Sequence, residues 1–401
     1  MSLFDKFQAV AEARAALAGT SGPAAIATPI ESVQSATRGR IGGQEVLLAG
    51  TNNYLGLTFD EHVLDAAGSA LRELGSGTTG SRMANGSYDA HRALEDELAA
   101  AFGWPAAIVF STGYQANLGA LSTLAGRGEY LVLDADSHAS IYDGARLSQA
   151  ETIRFRHNDP DNLDRRLTRL GREASKALIV VEGLYSMLGD QPPLEAFVEV
   201  KERHGAWLLV DEAHSFGVFG ERGLGLTEAC GLLDRVDFIV GTFSKSLAGL
   251  GGFCVSPHPQ LDSMRLASRP YIFTASPSPA TIAGTRAALH KVLGGQHLRA
   301  QLRRNFERLY AAAEQMGYRL GSTTAGPVAA LVLPDRETAL AHWHGLLAAG
   351  VYANLMIPPA TPAGLHLLRI SLSAAHTDQD IDQMIGALRG LAVAETCHQT
   401  A

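Results

Sequence analysis

The chain has 401 residues, of which 46% are hydrophobic and 18% charged, and a net charge of −8. That length supports one large core with a smaller domain beside it, and the acidic balance offers nucleic acid no basic face. Cys230, Cys254 and Cys397 form no motif, which points to a reducing compartment rather than a disulfide framework.

The first residues mix charges into helical periodicity, so an amphipathic helix is expected over 1–20, ended by Thr20-Ser21-Gly22-Pro23. A secretory leader would need a continuous apolar block there. No apolar run approaches the roughly 20 residues of a membrane span. A cytoplasmic protein is expected, with contact at the inner face of a membrane left open. Residues 1–45 read as a helix and arm, 46–285 as a large domain and 286–401 as a small α+β domain.

Gln44–Ala49 lead into Gly50-Thr51-Asn52-Asn53-Tyr54-Leu55-Gly56, read as a loop carrying an exposed aromatic, with Asn53 a candidate for substrate binding. Gly75-Ser76-Gly77-Thr78-Thr79-Gly80 spells a dinucleotide fingerprint, but no strand precedes it and no helix opens directly after it. A loop at a substrate mouth, with Ser81 and Arg82 as polar tips, fits the context better.

From residue 106 short apolar runs alternate with helical segments. Strands are expected at Ala107–Phe110, Tyr130–Leu133, Thr152–Phe155, Leu178–Val181, Trp207–Val210, Phe238–Val240 and Phe253–Val255. Such a pattern builds a mostly parallel α/β sheet covered on both faces, with ligands held at the carboxyl ends of its strands. Ser111-Thr112-Gly113-Tyr114 takes the first strand into a helix, whose free N–H groups suit a phosphate; Tyr114 can lie beside a cofactor ring. His138 follows the second strand and can stack on an aromatic ring. Glu182, Tyr185 and Ser186 follow the fourth.

The fifth strand ends in Asp211-Glu212-Ala213-His214. A carboxylate there keeps a pyridine nitrogen protonated if the ligand is pyridoxal phosphate, and His214 can reach the ring hydroxyl. The same four letters occur in helicases, but no Gly-x-x-x-x-Gly-Lys-Ser/Thr loop accompanies them. No His or Cys cluster has metal-ligand spacing. Lys245, in Gly241-Thr242-Phe243-Ser244-Lys245, is the one lysine of five with no charged residue within five positions. Poor hydration favours its neutral amine, the form that makes a Schiff base with an aldehyde. In the last third, Val328–Val332, Val351–Asn354 and Leu367–Leu372 read as strands among helices at 296–316, 336–349 and 377–391. Arg369, flanked by apolar residues, can grip a carboxylate as a fork.

Asn53-Tyr54-Leu55-Gly56, Ser111-Thr112-Gly113-Tyr114, Asp136-Ser137-His138-Ala139-Ser140, Asp211-Glu212-Ala213-His214 and Gly241–Lys245 resemble, in order, the motifs of the α-oxoamine synthases. The resemblance covers nearly the whole chain. It implies the aspartate aminotransferase-like fold (fold type I), pyridoxal 5'-phosphate as cofactor, and a homodimer with shared active sites. By position it implies Lys245 as Schiff-base lysine and α-proton base, Asp211 on the pyridine nitrogen and His214 on the ring hydroxyl. His138 would stack on the ring and touch the substrate carboxylate. Gly113, Tyr114, Ser186, Thr242 and Ser244 would hold the cofactor, with Thr274 reaching in from a second subunit, and Arg369 would bind substrate.

The implied reaction is decarboxylative condensation of L-serine with a long-chain acyl thioester, carried by coenzyme A or acyl carrier protein, to 3-oxosphinganine, the first step of sphingolipid synthesis. Sister condensations of glycine or alanine, and an aminotransferase on the same fold, stay open. Serine-using members carry an arginine immediately before Pro-Pro-Ala-Thr-Pro, where this chain has Ile357, and can carry a tyrosine where it has Asn52.

Overall fold

The computed structural model describes residues 3–8, 11, 24–358 and 360–399. The expected helix over 1–20 lies mostly outside them; Asp5–Phe7 form a single 3-10 turn. The chain divides into two compact units, Asn52–Leu302 and Met1–Thr51 with Arg303–Ala401. The N-terminal arm thus clusters with the C-terminal chain, because its strand Gln44–Leu48 pairs in parallel with Val351–Tyr352.

Seven strands form the sheet of the large unit: β1 (Ala106–Phe110), β2 (Tyr130–Asp134), β3 (Glu151–Phe155), β4 (Ala177–Glu182), β5 (Trp207–Asp211), β6 (Phe238–Thr242) and β7 (Gly252–Ser256). Their order is β1-β7-β6-β5-β4-β2-β3. Neighbours are parallel except β7, which runs antiparallel between β1 and β6. Every residue of β1, β4, β6 and β7 is buried, as continuous apolar runs require when both faces of a sheet are covered. Helices α1 (Gly113–Leu124) and α2 (Ala139–Leu147) lay Leu121 and Ile141 against Leu133, Val180, Leu209 and Val240 of the strands. Each such fully buried aliphatic side chain stabilises the fold by roughly 1.5–3 kcal/mol.

Two readings of the loops are corrected by long-range pairing. Tyr54 is fully buried rather than exposed, its hydroxyl 2.7 Å from His214 Nδ1. Arg82 is no polar tip. It is buried in a bidentate pair with Glu95, with N–O distances of 2.9 and 3.1 Å, and it stacks on Tyr271.

In the other unit the expected strand at 351–354 is two strands in two sheets. Val351–Tyr352 joins the arm, whereas Asn354–Met356 runs antiparallel to His366–Ser371, which in turn pairs with Val328–Leu333. Ala353 is the crossing point, and Trp343 Nε1 donates to its carbonyl. Among the described residues no helix is long and apolar enough to cross a membrane.

Candidate active site

Four strands end on a polar residue at the same edge of the sheet: Asp134, Glu182, Asp211 and Thr242. Three of these four, with the loops that follow β1, β2 and β6, line one cleft.

The cleft begins at the start of α1. Thr112 caps the helix by accepting from Gln115 N–H, which leaves the N–H groups of Gly113 and Tyr114 without an acceptor among the described residues. A Cβ on Gly113 would lie 2.7 Å from Thr242 Cβ, and one on Gly252 would lie 2.5 Å from Gly113 Cα. Only glycines allow this approach of helix start to strand end. Thr242 donates its hydroxyl to Gly251 O at 3.0 Å and so accepts from Ser244 Oγ at 2.9 Å. Helix amides and two hydroxyls thus converge on a place for a phosphate.

Asp211 lies deeper. Its Oδ1 accepts from Ala213 N–H at 2.9 Å and its Oδ2 from Asn117 Nδ2 at 2.6 Å. Glu182 is its register partner across β4 and β5 and accepts the backbone N–H of His138 at 2.5 Å. Burial, and then the charge of Asp211, push the Glu182 carboxyl well above the usual carboxylate range. The His138 ring opens on the cleft, yet the protein bulk around it disfavours its cation and lowers its pKa. Asp211 opposes that shift and Lys245 adds to it.

Lys245 follows β6 on a tightly held loop. Phe243 and Gly251 are joined by a backbone hydrogen bond of 2.9 Å, Ala248 N–H returns to Lys245 O at 3.0 Å, and Ser246 Oγ donates to Phe216 O at 2.7 Å. Underneath, the Phe253 ring packs against Phe216, Phe243 and Phe102 at centroid distances of 5.2, 5.9 and 6.1 Å. An aromatic bed therefore fixes where the lysine emerges.

Lys245, Asp211, His138 and His214 all line this cleft, as do Gly113, Tyr114, Thr242 and Ser244. Four other expected site residues lie elsewhere. Asn53 is buried and donates to Thr58 Oγ1 at 2.8 Å. Ser186 is half-buried in the turn after β4. Thr274 accepts from Gln115 Nε2 at 3.1 Å outside the lining of its own chain's cleft. Arg369 is buried in the other unit, with Nη1 2.9 Å from Ser371 Oγ. Sequence reading missed Asn117 and Ser140, both in the lining. Their one signal is a polar side chain facing inward from an otherwise apolar helix stretch.

These groups fit pyridoxal phosphate. A glycine-lined helix start and two hydroxyls suit its phosphate, a buried carboxylate suits its ring nitrogen, and a lysine suits its aldehyde.

Residues 44–388 match the family model for class I and II aminotransferases. The chain is 55% identical to the serine palmitoyltransferase of Caulobacter vibrioides, covering 96% of this chain and 95% of that one. With the serine palmitoyltransferase of Sphingomonas paucimobilis it shares 49% identity, over 96% and 91% of the two chains. A solved serine palmitoyltransferase holding pyridoxal phosphate superposes with a TM-score of 0.96 at 47% identity, covering 98% of this chain and 99% of that chain. The Sphingomonas wittichii serine palmitoyltransferase superposes at 0.95 with 50% identity and the same coverage. Fold, cleft and likeness agree that the chain belongs to the class I and II aminotransferase family, in its pyridoxal phosphate-dependent α-oxoamine synthase branch.

Proposed function

We propose that the protein is a serine palmitoyltransferase, condensing L-serine with a long-chain acyl thioester to give 3-oxosphinganine, carbon dioxide and free thiol. The observation that carries this reading is the convergence of Lys245, Asp211 and His138 on one cleft, in a chain 55% identical to a serine palmitoyltransferase along almost its whole length.

Pyridoxal phosphate, when bound, supplies the electron sink that makes the α-carbon of an amino acid acidic. Asp211, held by Asn117 and by Ala213 N–H, presents a fixed negative charge to the ring nitrogen. Tyr54 holds His214 through Nδ1, and that imidazole would meet the ring hydroxyl of the bound cofactor. Lys245 would hold the cofactor's aldehyde carbon, and its Nζ is the base placed for the proton on the serine α-carbon.

We further infer a homodimer in which Thr274 serves the partner's cleft. Thr274 does not line the cleft of its own chain, its neighbour Phe273 is 70% exposed, and Leu250, on the cleft, is 57% exposed.

Visible absorption of the reconstituted enzyme, titrated with L-serine, L-alanine and glycine before palmitoyl-CoA is added, tests the reading. A serine-selective change followed by thiol release is expected. A response confined to another amino acid would overturn the substrate, and an amine-form cofactor produced without thioester would make the protein an aminotransferase.

A further inference from the structure

Asp211 and His138 are joined by a chain of hydrogen bonds, buried from Asp211 to Ser140, whose polarity is determined by chemistry. A carboxylate can only accept, so the Asn117 group facing Asp211 Oδ2 at 2.6 Å is the amide nitrogen. That nitrogen has two hydrogens, and its second contact is Ser140 Oγ at 2.9 Å. Ser140, having accepted from Asn117, keeps its own hydrogen for His138 Nδ1 at 2.7 Å. Nδ1 also faces the backbone N–H of Ser140 at 3.2 Å, because His138 is the N-cap of α2. A ring nitrogen between two donors carries no proton. Among the described residues Nε2 has no hydrogen-bond partner.

We propose that Asn117 and Ser140 are positioning residues that lock His138 in the tautomer with its proton on Nε2, so that the ring offers the substrate carboxylate an N–H donor. Asn117 and Ser140 are 3% and 1% exposed, so water does not compete for the bonds that join them to each other and to Asp211. A second proton could enter only at Nδ1, by breaking both bonds. The lowered pKa of His138 agrees with this. The charged groups around the ring are Asp211 and Lys245 in the cleft and Asp143 on α2, while Glu182 holds its backbone N–H. One set of bonds therefore fixes the carboxylate, the ring plane and the proton position together.

The identity of the group that Nε2–H meets rests on the serine palmitoyltransferase reading; the tautomer does not. Serine-dependent absorbance tests the former, and the ring nitrogens test the latter. NMR of ¹⁵N-histidine-labelled holoenzyme, with the His138 signals recognised as those missing from His138→Asn, is expected to show Nε2 protonated and Nδ1 bare at neutral pH. In Ser140→Ala and Asn117→Leu both tautomers should appear. The acidic limb of kcat/KM should move up by about one pH unit, the size of ordinary environmental shifts, and its plateau should fall about tenfold, as for the outer-shell partners of ligand histidines. A proton on Nδ1 in the wild type overturns the proposal without any variant. So do variants that keep the tautomer and the pH limb while only their melting temperature falls.

Discussion

Glu182 and Asp211 end adjacent parallel strands in exact register, so that two carboxyl groups share the floor of one cleft. Two charges cannot be kept so close in a buried place. Burial and the neighbouring carboxylate push the Glu182 carboxyl well above the ordinary carboxylate range.

Replacing Glu182 by glutamine should therefore be nearly silent in turnover, because the amide oxygen can still accept His138 N–H. Glu182→Ala removes that acceptor and should lower kcat/KM by about tenfold or more. The sign for stability follows from linkage. A carboxyl with a raised folded pKa makes the native state bind the extra proton, so wild-type stability falls as pH rises above the ordinary carboxylate range. Glu182→Gln should consequently gain more in melting temperature at pH 8 than at pH 5, and an equal gain at both would contradict a protonated Glu182.

Lys245→Ala should still bind pyridoxal phosphate and respond to serine in its visible spectrum, but should lose the removal of the serine α-proton. Loss of the general base alone costs about 10²–10⁴-fold in rate. Thiol release from palmitoyl-CoA measures it, and full turnover in the variant would remove Lys245 from the mechanism.

Gly241→Ala should damage the site from below. Its Cβ would lie 2.4 Å from the Phe253 ring, which supports the Lys245 loop through Phe243. Overpacking of this kind costs about 1–3 kcal/mol. Adding Phe253→Leu should recover part of that loss, and a double-mutant cycle from urea unfolding reads the coupling. Strict additivity would show that the clash relaxes elsewhere.

Two histidines should shape the pH dependence of stability in opposite directions. His157 is half-buried, which disfavours its cation, but Asp134 and Asp190 on its two nitrogens push it up to about 10. Its contribution is full below the free imidazole value of about 6.5 and is lost as pH rises from there toward 10. Burial lowers His376 to about 4, with Nδ1 accepting from Ser373 N–H. Its contribution is full above about 6.5 and is lost as pH falls toward 4. Urea melts across this range should show His157→Asn flattening the alkaline side and His376→Asn the acid side. The reverse pattern would exchange the two assignments.

The seven strands of the large sheet were legible from sequence, and so were Glu182 and Asp211 at the ends of two of them, because a strand buried on both faces must be apolar throughout and betrays its end where the first charge appears; the edge strand β3, mostly exposed, is the exception. Lys245 stood out by the same logic, as a cation without charged neighbours. What the sequence could not carry were relations between distant segments. Asn117 and Asp211 are 94 positions apart and Tyr54 and His214 are 160, so the partner that buries each polar group is invisible until the sheet order is known. Arg82 read as a loop tip for the same reason, and the crossing at Ala353 depends on which strands lie on either side. By itself the sequence determined the class of fold and the ionisable groups at the strand ends. The tertiary structure alone decided which of them meet and which carboxyl is pushed toward its protonated form, because these follow from low-dielectric contacts that only folding makes.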